Sequence, residues 1–413
     1  MFEKVKGMSP EADHVRRWIE LGDETGWDFT RQNTDWIAEP WEWMAIHQAA
    51  WSGDMRLLKQ LLQQGEAVDS RDASEWTPLH WAAFRGHVTL VKLLVQRGAP
   101  VNILDKYSCT PLHRAAWSGH TQVVEFLLHR GALATVVTKD GLSPLHYAAN
   151  NGHILIVQIL LKWGATLDTC CDNNGWSPLH WATINNQLHV MDLLIHQGAC
   201  PDLSCDGNMA PLHMAAETGK TEVAQFLLGK GACLNRKDGL GRTALAIAAS
   251  AGHEEIVRML LHMKADVSIA DNHSCTALHR AAAAGHMMVV RALVEGGACV
   301  DSVDDTNLTA LHRAMRNGHV DVANYLLDQG ANIGASGWLK KTPLHLAMEQ
   351  GHTILIESLL QKEAALPECL QDWEIAKKLV SKGIFKEGKS SLRATVNGNL
   401  QCDFKLDSVT VKI

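Results

Sequence analysis

The chain has 413 residues, is 46% hydrophobic and carries a net charge of −7. That is enough apolar material for a long continuous core, while the acidic balance speaks against nucleic acid as the main partner, because phosphate binding wants a basic face. No stretch approaches the roughly 20 apolar residues that span a bilayer, and residues 1–15 are mixed and charged rather than signal-like. A chain of the cytoplasm, with the nucleus as the alternative, is therefore expected, without membrane insertion.

Residues 1–40 form a first segment rich in tryptophan (Trp18, Trp27, Trp36), with helical spacing around 14–21. Two readings stand for it: a lid over the exposed apolar face of the first structural unit, or a linear docking segment.

From residue 41 to 366 one pattern recurs. Its marker is a Thr-Pro-Leu-His-like word whose His falls at 47, 80, 113, 146, 180, 213, 279, 312 and 345, with Ala246 in the place of one. The step is 33 residues throughout, except for the 34 between His146 and His180. Ten copies at one period predict a solenoid of stacked units, each too small to hide its own apolar surface.

The second copy, Trp76–Ala99, shows the grammar of a unit. Thr77 suits an N-cap, since its hydroxyl can accept a free N–H of the first turn. Pro78 suits the first helical position, where its missing N–H costs nothing. Ala82 and Ala83 keep one helix face thin, and Gly86 ends the helix where φ must turn positive. Leu90, Val91, Leu93 and Leu94 supply the apolar spacing of a second helix, which Gly98 stops. A hairpin-like loop leads to the next unit.

These words resemble the ankyrin repeat family, and Thr110–His113, Ser143–His146, Ser177–His180, Thr276–His279, Thr309–His312 and Thr342–His345 repeat them. The resemblance covers roughly four fifths of the chain. It implies an all-α solenoid of ten helix–turn–helix–hairpin units, curved so that the concave face, the inner helices and the loop tips bind other proteins.

Residues 367–413 depart from the repeat. Leu370, Trp373, Ala376 and Val380 have helical spacing, and beyond residue 392 the pattern alternates with period two around the turn signal Asn397-Gly398. One further helix and a small C-terminal β-meander are predicted.

The 22 histidines and ten cysteines invite a metal reading that the spacing rejects. Nine His belong to the repeated word, and seven more (87, 120, 153, 253, 286, 319, 352) follow the glycine that ends the first helix. One residue per unit makes ladders, whereas zinc needs several ligands at one point. The expected role is to satisfy backbone groups at turns and helix starts. Cys200, Cys233 and Cys299 share one place in three units. Stacked equivalents lie about 10 Å apart, beyond the roughly 7 Å that a disulfide allows. They read as buried or half-buried thiols. Arg280, Arg313 and Arg316 read as a solvated or salt-bridged basic spot. No phosphate loop, nucleophile elbow or kinase signature is present, so neither catalysis nor a cofactor is expected.

The partner surface is expected on the concave side. Four residues after the marker His stand Trp51, Phe84 and Trp117 in the first three units and Ile184 in the fifth. Trp76 and Tyr107 in the loops, with Trp81 and Trp181 after the His, are expected to widen that strip, because Trp and Tyr are frequent interface hot spots. Edged by Arg85 and Arg114, it suits an amphipathic helix or extended peptide with acidic flanks; the competing reading is that the rings pack on each other and rigidify the array. The expected function is a monomeric scaffold or adaptor, with a single-client inhibitor or substrate-receptor subunit as the alternative. Asn102 and Asn235, eight residues after Leu94 and Leu227, resemble sites of asparaginyl hydroxylation, against the plainer reading of loop-stabilising turn residues. Units five to seven, where Asn186, Ala210 and Ala246 break the grammar, are expected to be the soft part of the stack.

Overall fold

The computed structural model describes residues 44–168, 175–352 and 354–356. The N-terminal segment, the C-terminal helix and β-meander, and Cys170 and Cys171 lie outside the described residues. Within them the fold is all-helical: nine complete helix pairs and the first helix of a tenth. The pairs are α1 (Ala45–Ser52) with α2 (Met55–Gln63), α3 (Pro78–Arg85) with α4 (Val88–Gln96), and α5 (Pro111–Ser118) with α6 (Thr121–His129). They continue as α7 (Pro144–Asn150) with α8 (Ile154–Lys162), α9 (Pro178–Ile184) with α10 (Leu188–His196), and α11 (Pro211–Glu217) with α12 (Thr221–Gly229). The last are α13 (Ala244–Ala251) with α14 (Glu254–His262), α15 (Ala277–Ala284) with α16 (Met287–Glu295), α17 (Ala310–Asn317) with α18 (Val320–Asp328), and α19 (Pro343–Gln350).

Each helix starts and stops where the grammar places it. At the head of α5 the N–H of His113 reaches the Thr110 hydroxyl (3.4 Å), while the Thr110 N–H donates to His113 Nδ1 (3.0 Å). The cap is thus reciprocal, with an imidazole in the role that a carboxylate often plays. At its tail Gly119 takes φ 82°. In the fifth unit Asn186 fills that left-handed position at φ 56°, as Asn can more readily than other residues with a Cβ. In the sixth, Ala210 has no hydroxyl, and only its N–H bond to His213 Nδ1 (3.0 Å) remains.

One core runs the length of the stack. In α3 Leu79, Ala82 and Ala83 are buried, and in α4 Leu90, Val91 and Leu94. First helices of neighbouring units pack along most of their length, whereas second helices touch more sparsely. The alanines allow that close approach, so the stack curves with its first helices inside.

Both histidine ladders join one unit to another. The marker histidines reach forward: His80 Nε2 donates to the Cys109 carbonyl (3.1 Å) and His113 Nε2 to that of Leu142 (3.2 Å). A carbonyl can only accept, so the proton sits on Nε2 and leaves Nδ1 free to receive the cap N–H. The second ladder reaches back, as from His87 Nε2 to the Trp51 carbonyl (3.0 Å) and from His153 to that of Trp117 (2.9 Å). In the fifth and sixth units Gln187 and Lys220 replace the imidazole and bond the carbonyls of Asn150 and Ile184. The sequence reading gave these histidines backbone partners at turns and helix starts; their Nε2 partners lie in the neighbouring repeat.

The connecting loops are turns rather than strands. Asp105 N–H pairs with the Cys109 carbonyl (3.0 Å), and the Asp105 carboxylate accepts from the N–H groups of Tyr107 and Cys109. Among the described residues there is one isolated β-bridge, Val303 with Thr309. Successive loops are stitched together, as by Lys139 N–H to the Tyr107 carbonyl (3.1 Å).

Candidate concave interface

The concave face presents the last turn of each first helix and the loops beside it. Trp51, Phe84 and Trp117 stand there, each held through its own carbonyl by the histidine of the next unit (His87, His120, His153). The side chains of all three are half-buried, as are Trp81, Trp181 and Ile184.

The rings gather into three groups and form no continuous strip. In the first, Trp51 stacks on Phe84 (6.3 Å between centroids, 17° between planes) and meets Trp81 edge-on at 5.2 Å. Trp81 in turn lies 4.3 Å from Trp76, and its indole N–H donates to Asp72 Oδ2 at 2.8 Å. The exposed Arg85 guanidinium covers the Trp51 ring at 4.4 Å. In the second group Trp117 meets Tyr147 edge-on at 5.2 Å. The third holds Trp176 and Trp181 (5.4 Å) with Cys205, Met209, Met214 and Ile184.

Two of the expected contact residues fall outside this face. Trp76 is 1% exposed and serves as core, wedged under the loop between Trp81 and the Arg114 guanidinium, which lies 4.2 Å from its ring. A ring at the loop base is covered by the loop it supports. Tyr107 is 44% exposed but sits at the loop tip, its N–H on Asp105 and its carbonyl on Lys139. Arg114 is equally committed, since its guanidinium pairs with the fully buried Asp105 carboxylate, and of the two edging arginines Arg85 alone is exposed. The sequence reading missed Tyr147 and Trp176. Both occupy positions already singled out, after the marker His and before the cap, so the repeat register itself was the signal.

The later units change character. Arg280 pairs with Asp271 and Arg313 with Asp304, both carboxylates fully buried. Burial alone would raise the Asp271 carboxyl, but the Arg280 guanidinium and the backbone N–H groups of Cys275 and His273 outweigh it and hold it below its ordinary value. The basic spot is thus salt-bridged at two of its three arginines, with Arg316 exposed. Inside the stack burial, partly offset by the carbonyl bonds, lowers His80 to about 4 and His113 to about 3, so both are uncharged near neutral pH. Burial also raises the Cys109 thiol to about 11.

Asn102 and Asn235 are exposed but not local loop braces. Asn102 donates to the Gly131 carbonyl (3.0 Å) and accepts from Leu133 N–H (3.0 Å), and Asn235 accepts from Asp266 N–H (3.1 Å). Each ties its loop to the next unit. Cys200, Cys233 and Cys299 are exposed, contrary to the expectation of buried thiols. The alanine before each turns inward, and the following residue faces solvent. Among the described residues no cluster of three or more His, Cys, Asp or Glu is placed to hold a metal, and no helix is long and apolar enough to cross a membrane.

Comparison with known proteins agrees with this architecture. The family description "Ankyrin repeats (3 copies)" matches residues 46–138, 132–205, 200–271 and 263–337, and "Ankyrin repeat" matches 340–373. No curated protein matches the chain. Ankyrin repeats are in general protein–protein interaction modules. With matches running along most of its length and helix pairs in the corresponding places, the chain belongs to the ankyrin repeat family.

Proposed function

We propose that this chain is a non-catalytic scaffold or adaptor of the cytoplasm or nucleus that holds a peptide or amphipathic helix of a partner protein against its concave face. The observation that carries this is the three half-buried rings of Trp51, Phe84 and Trp117 at equivalent places in successive units, with the Arg85 guanidinium over the first. Such rings offer large contact area at low entropic cost, and the guanidinium beside them suits an acidic flank on the partner.

The test replaces Trp51, Phe84 and Trp117 together by glutamine. Partners are recovered by proximity labelling, with circular dichroism as the control for folding. Loss of recovery from a folded variant is expected, and unchanged recovery removes the concave row as the site. A single stoichiometric client would favour a dedicated inhibitor or receptor subunit over a scaffold, and several partners mapping to different repeats would favour the scaffold.

A further inference from the structure

The convex face, built from the second helices, is divided by charge. Taken with their C-terminal cap residues, the second helices of units one to four carry six cations (Arg56, Lys59, Lys92, Arg97, Arg130, Lys162) and one acid, Glu125. Those of units five to nine carry seven acids and three cations. Two of those three are already engaged, Lys230 by Asp192 and Arg258 by Glu254.

At the boundary lies α8, whose only charge is Lys162. Its outward positions i, i+4 and i+8 are Leu155, Ile159 and Trp163. Leu155 is 62% exposed and Trp163 42%, the latter with His129 edge-on at 5.0 Å. A helix apolar all round is ordinarily a buried one. On its other side the gap between α8 and α10 opens into two shallow grooves of about 290 and 350 Å³, where Leu161, Leu193 and Ile154 stand among polar residues that include Gln158, Lys162 and Asp192. This junction also holds the single 34-residue step of the array.

We propose that the convex face is a homodimer interface, with a second copy of this chain as its occupant. A two-fold axis lying in the interface beside α8 and reversing the order of units sets each basic half over the partner's acidic half. The same operation brings the apolar ridge of one copy onto the groove of the other, which is the self-complementarity that an isologous contact requires. Because convex faces diverge away from the axis, the outer charges steer approach while Leu155 and Trp163 hold the centre. The monomer expected from the sequence is replaced by a salt-sensitive dimer, on a surface separate from the concave one.

Sedimentation of the full chain tests this. At low ionic strength and about 100 μM the wild-type chain should be dimeric, and 0.5 M salt should weaken the dimer at least tenfold, since screening acts on exposed charges. Leu155→Glu with Trp163→Glu should leave a folded monomer, and Arg130→Glu with Lys162→Glu should weaken association about tenfold. The concave triple variant should dimerise as the parent does, so failure of one surface is distinguishable from failure of the other. A monomer at 100 μM in low salt overturns the proposal. So does a dimer that survives the Leu155/Trp163 variant, or a monomer whose convex face instead binds anionic phosphatidylserine vesicles.

Discussion

His120 Nε2 donates to the Phe84 carbonyl at 2.9 Å, and its ring fills the space where a Cβ on Gly86 would stand. Gly86 is therefore fixed twice, by its φ of 74° and by the imidazole of the next unit. His120→Ala should cost about 1–2 kcal/mol through the orphaned carbonyl, and Gly86→Ala more than its backbone strain alone. In the His120→Ala background the clash is gone, so the two costs should fall short of additive by at least about 0.5 kcal/mol in urea unfolding. Strict additivity would mean that the ring moves aside without cost.

The uncharged histidines make the array acid-sensitive. Burial holds His80 and His180 near 4 and His113 near 3, against an ordinary value of 6.5, and lowers His213, His279 and His312 as well. With folded values depressed, the unfolded chain takes up protons first as pH falls. Stability should be full above about pH 6.5 and decline from there through about pH 4 for His80 and His180 and about pH 3 for His113. At pH 5 each fully buried histidine contributes up to about 2 kcal/mol to the loss. Thermal midpoints measured from pH 8 to pH 4.5 should fall monotonically, and His113→Asn, which keeps an acceptor and a donor, should flatten the curve. A midpoint indifferent to pH above 5 would count against the ladder as the cause.

The same ladders show what the sequence could and could not reveal. The period, the caps at Thr77 and Thr110 and the stops at Gly86 and Gly119 are local events with local signatures, and each was readable. Where His80 Nε2 points was not, since its partner at Cys109 lies 29 residues on and is set by how units stack. Trp76 and Tyr107 differ for the same reason. Both are aromatic residues in loops, and only the stacked loops decide that one is roofed over and the other left at the tip. Trp163 was overlooked because an apolar second helix resembles any core helix until its outward face is seen.

The stack should be softest in the middle. Ala210 removes one hydroxyl cap, Asn186 holds a left-handed turn, and Ala246 has no imidazole to reach the next loop. Losing one N-cap costs about 0.5–2 kcal/mol, and weak neighbours in a one-dimensional stack open together. Amides of 178–262 should exchange faster than those of 78–162. Equal protection in the two stretches would show that packing compensates, and restoring Ala210→Thr should slow exchange in α11 and α12 first.

Asn102 offers a separable test of modification. Its side chain must leave the Gly131 carbonyl and Leu133 N–H before an asparaginyl hydroxylase can seat it. Asn235 has one such inter-loop bond, to Asp266 N–H. If either residue is modified, Asn235 should be modified first, read by peptide mass spectrometry as a gain of about 16 Da. Faster modification of Asn102, or none on either with active enzyme present, would remove loop bonding or the sites themselves from consideration. Asn102→Ala should loosen the loops of the second and third units by about 1 kcal/mol.

Trp76 and Tyr107 give the sharpest contrast, because the sequence expected both to touch a partner. Trp76 is core, with Trp81 at 4.3 Å and Arg114 at 4.2 Å. Trp76→Ala should lower stability by about 3–5 kcal/mol, the usual cost of removing a large buried ring. It should also disturb the Arg114–Asp105 pair, so the Trp76→Ala and Arg114→Ala costs should overlap when combined. Tyr107→Ala removes an exposed ring and keeps the backbone bonds to Asp105 and Lys139, so its stability change should stay within about 0.5 kcal/mol. Urea unfolding and partner recovery measured on the same two variants separate the roles. Recovery should fall for Trp76→Ala only in proportion to the unfolded fraction, whereas any loss for Tyr107→Ala must come from a contact at the loop tip. A stable Trp76→Ala chain that has lost its partner would reverse the assignment and return that ring to the binding surface.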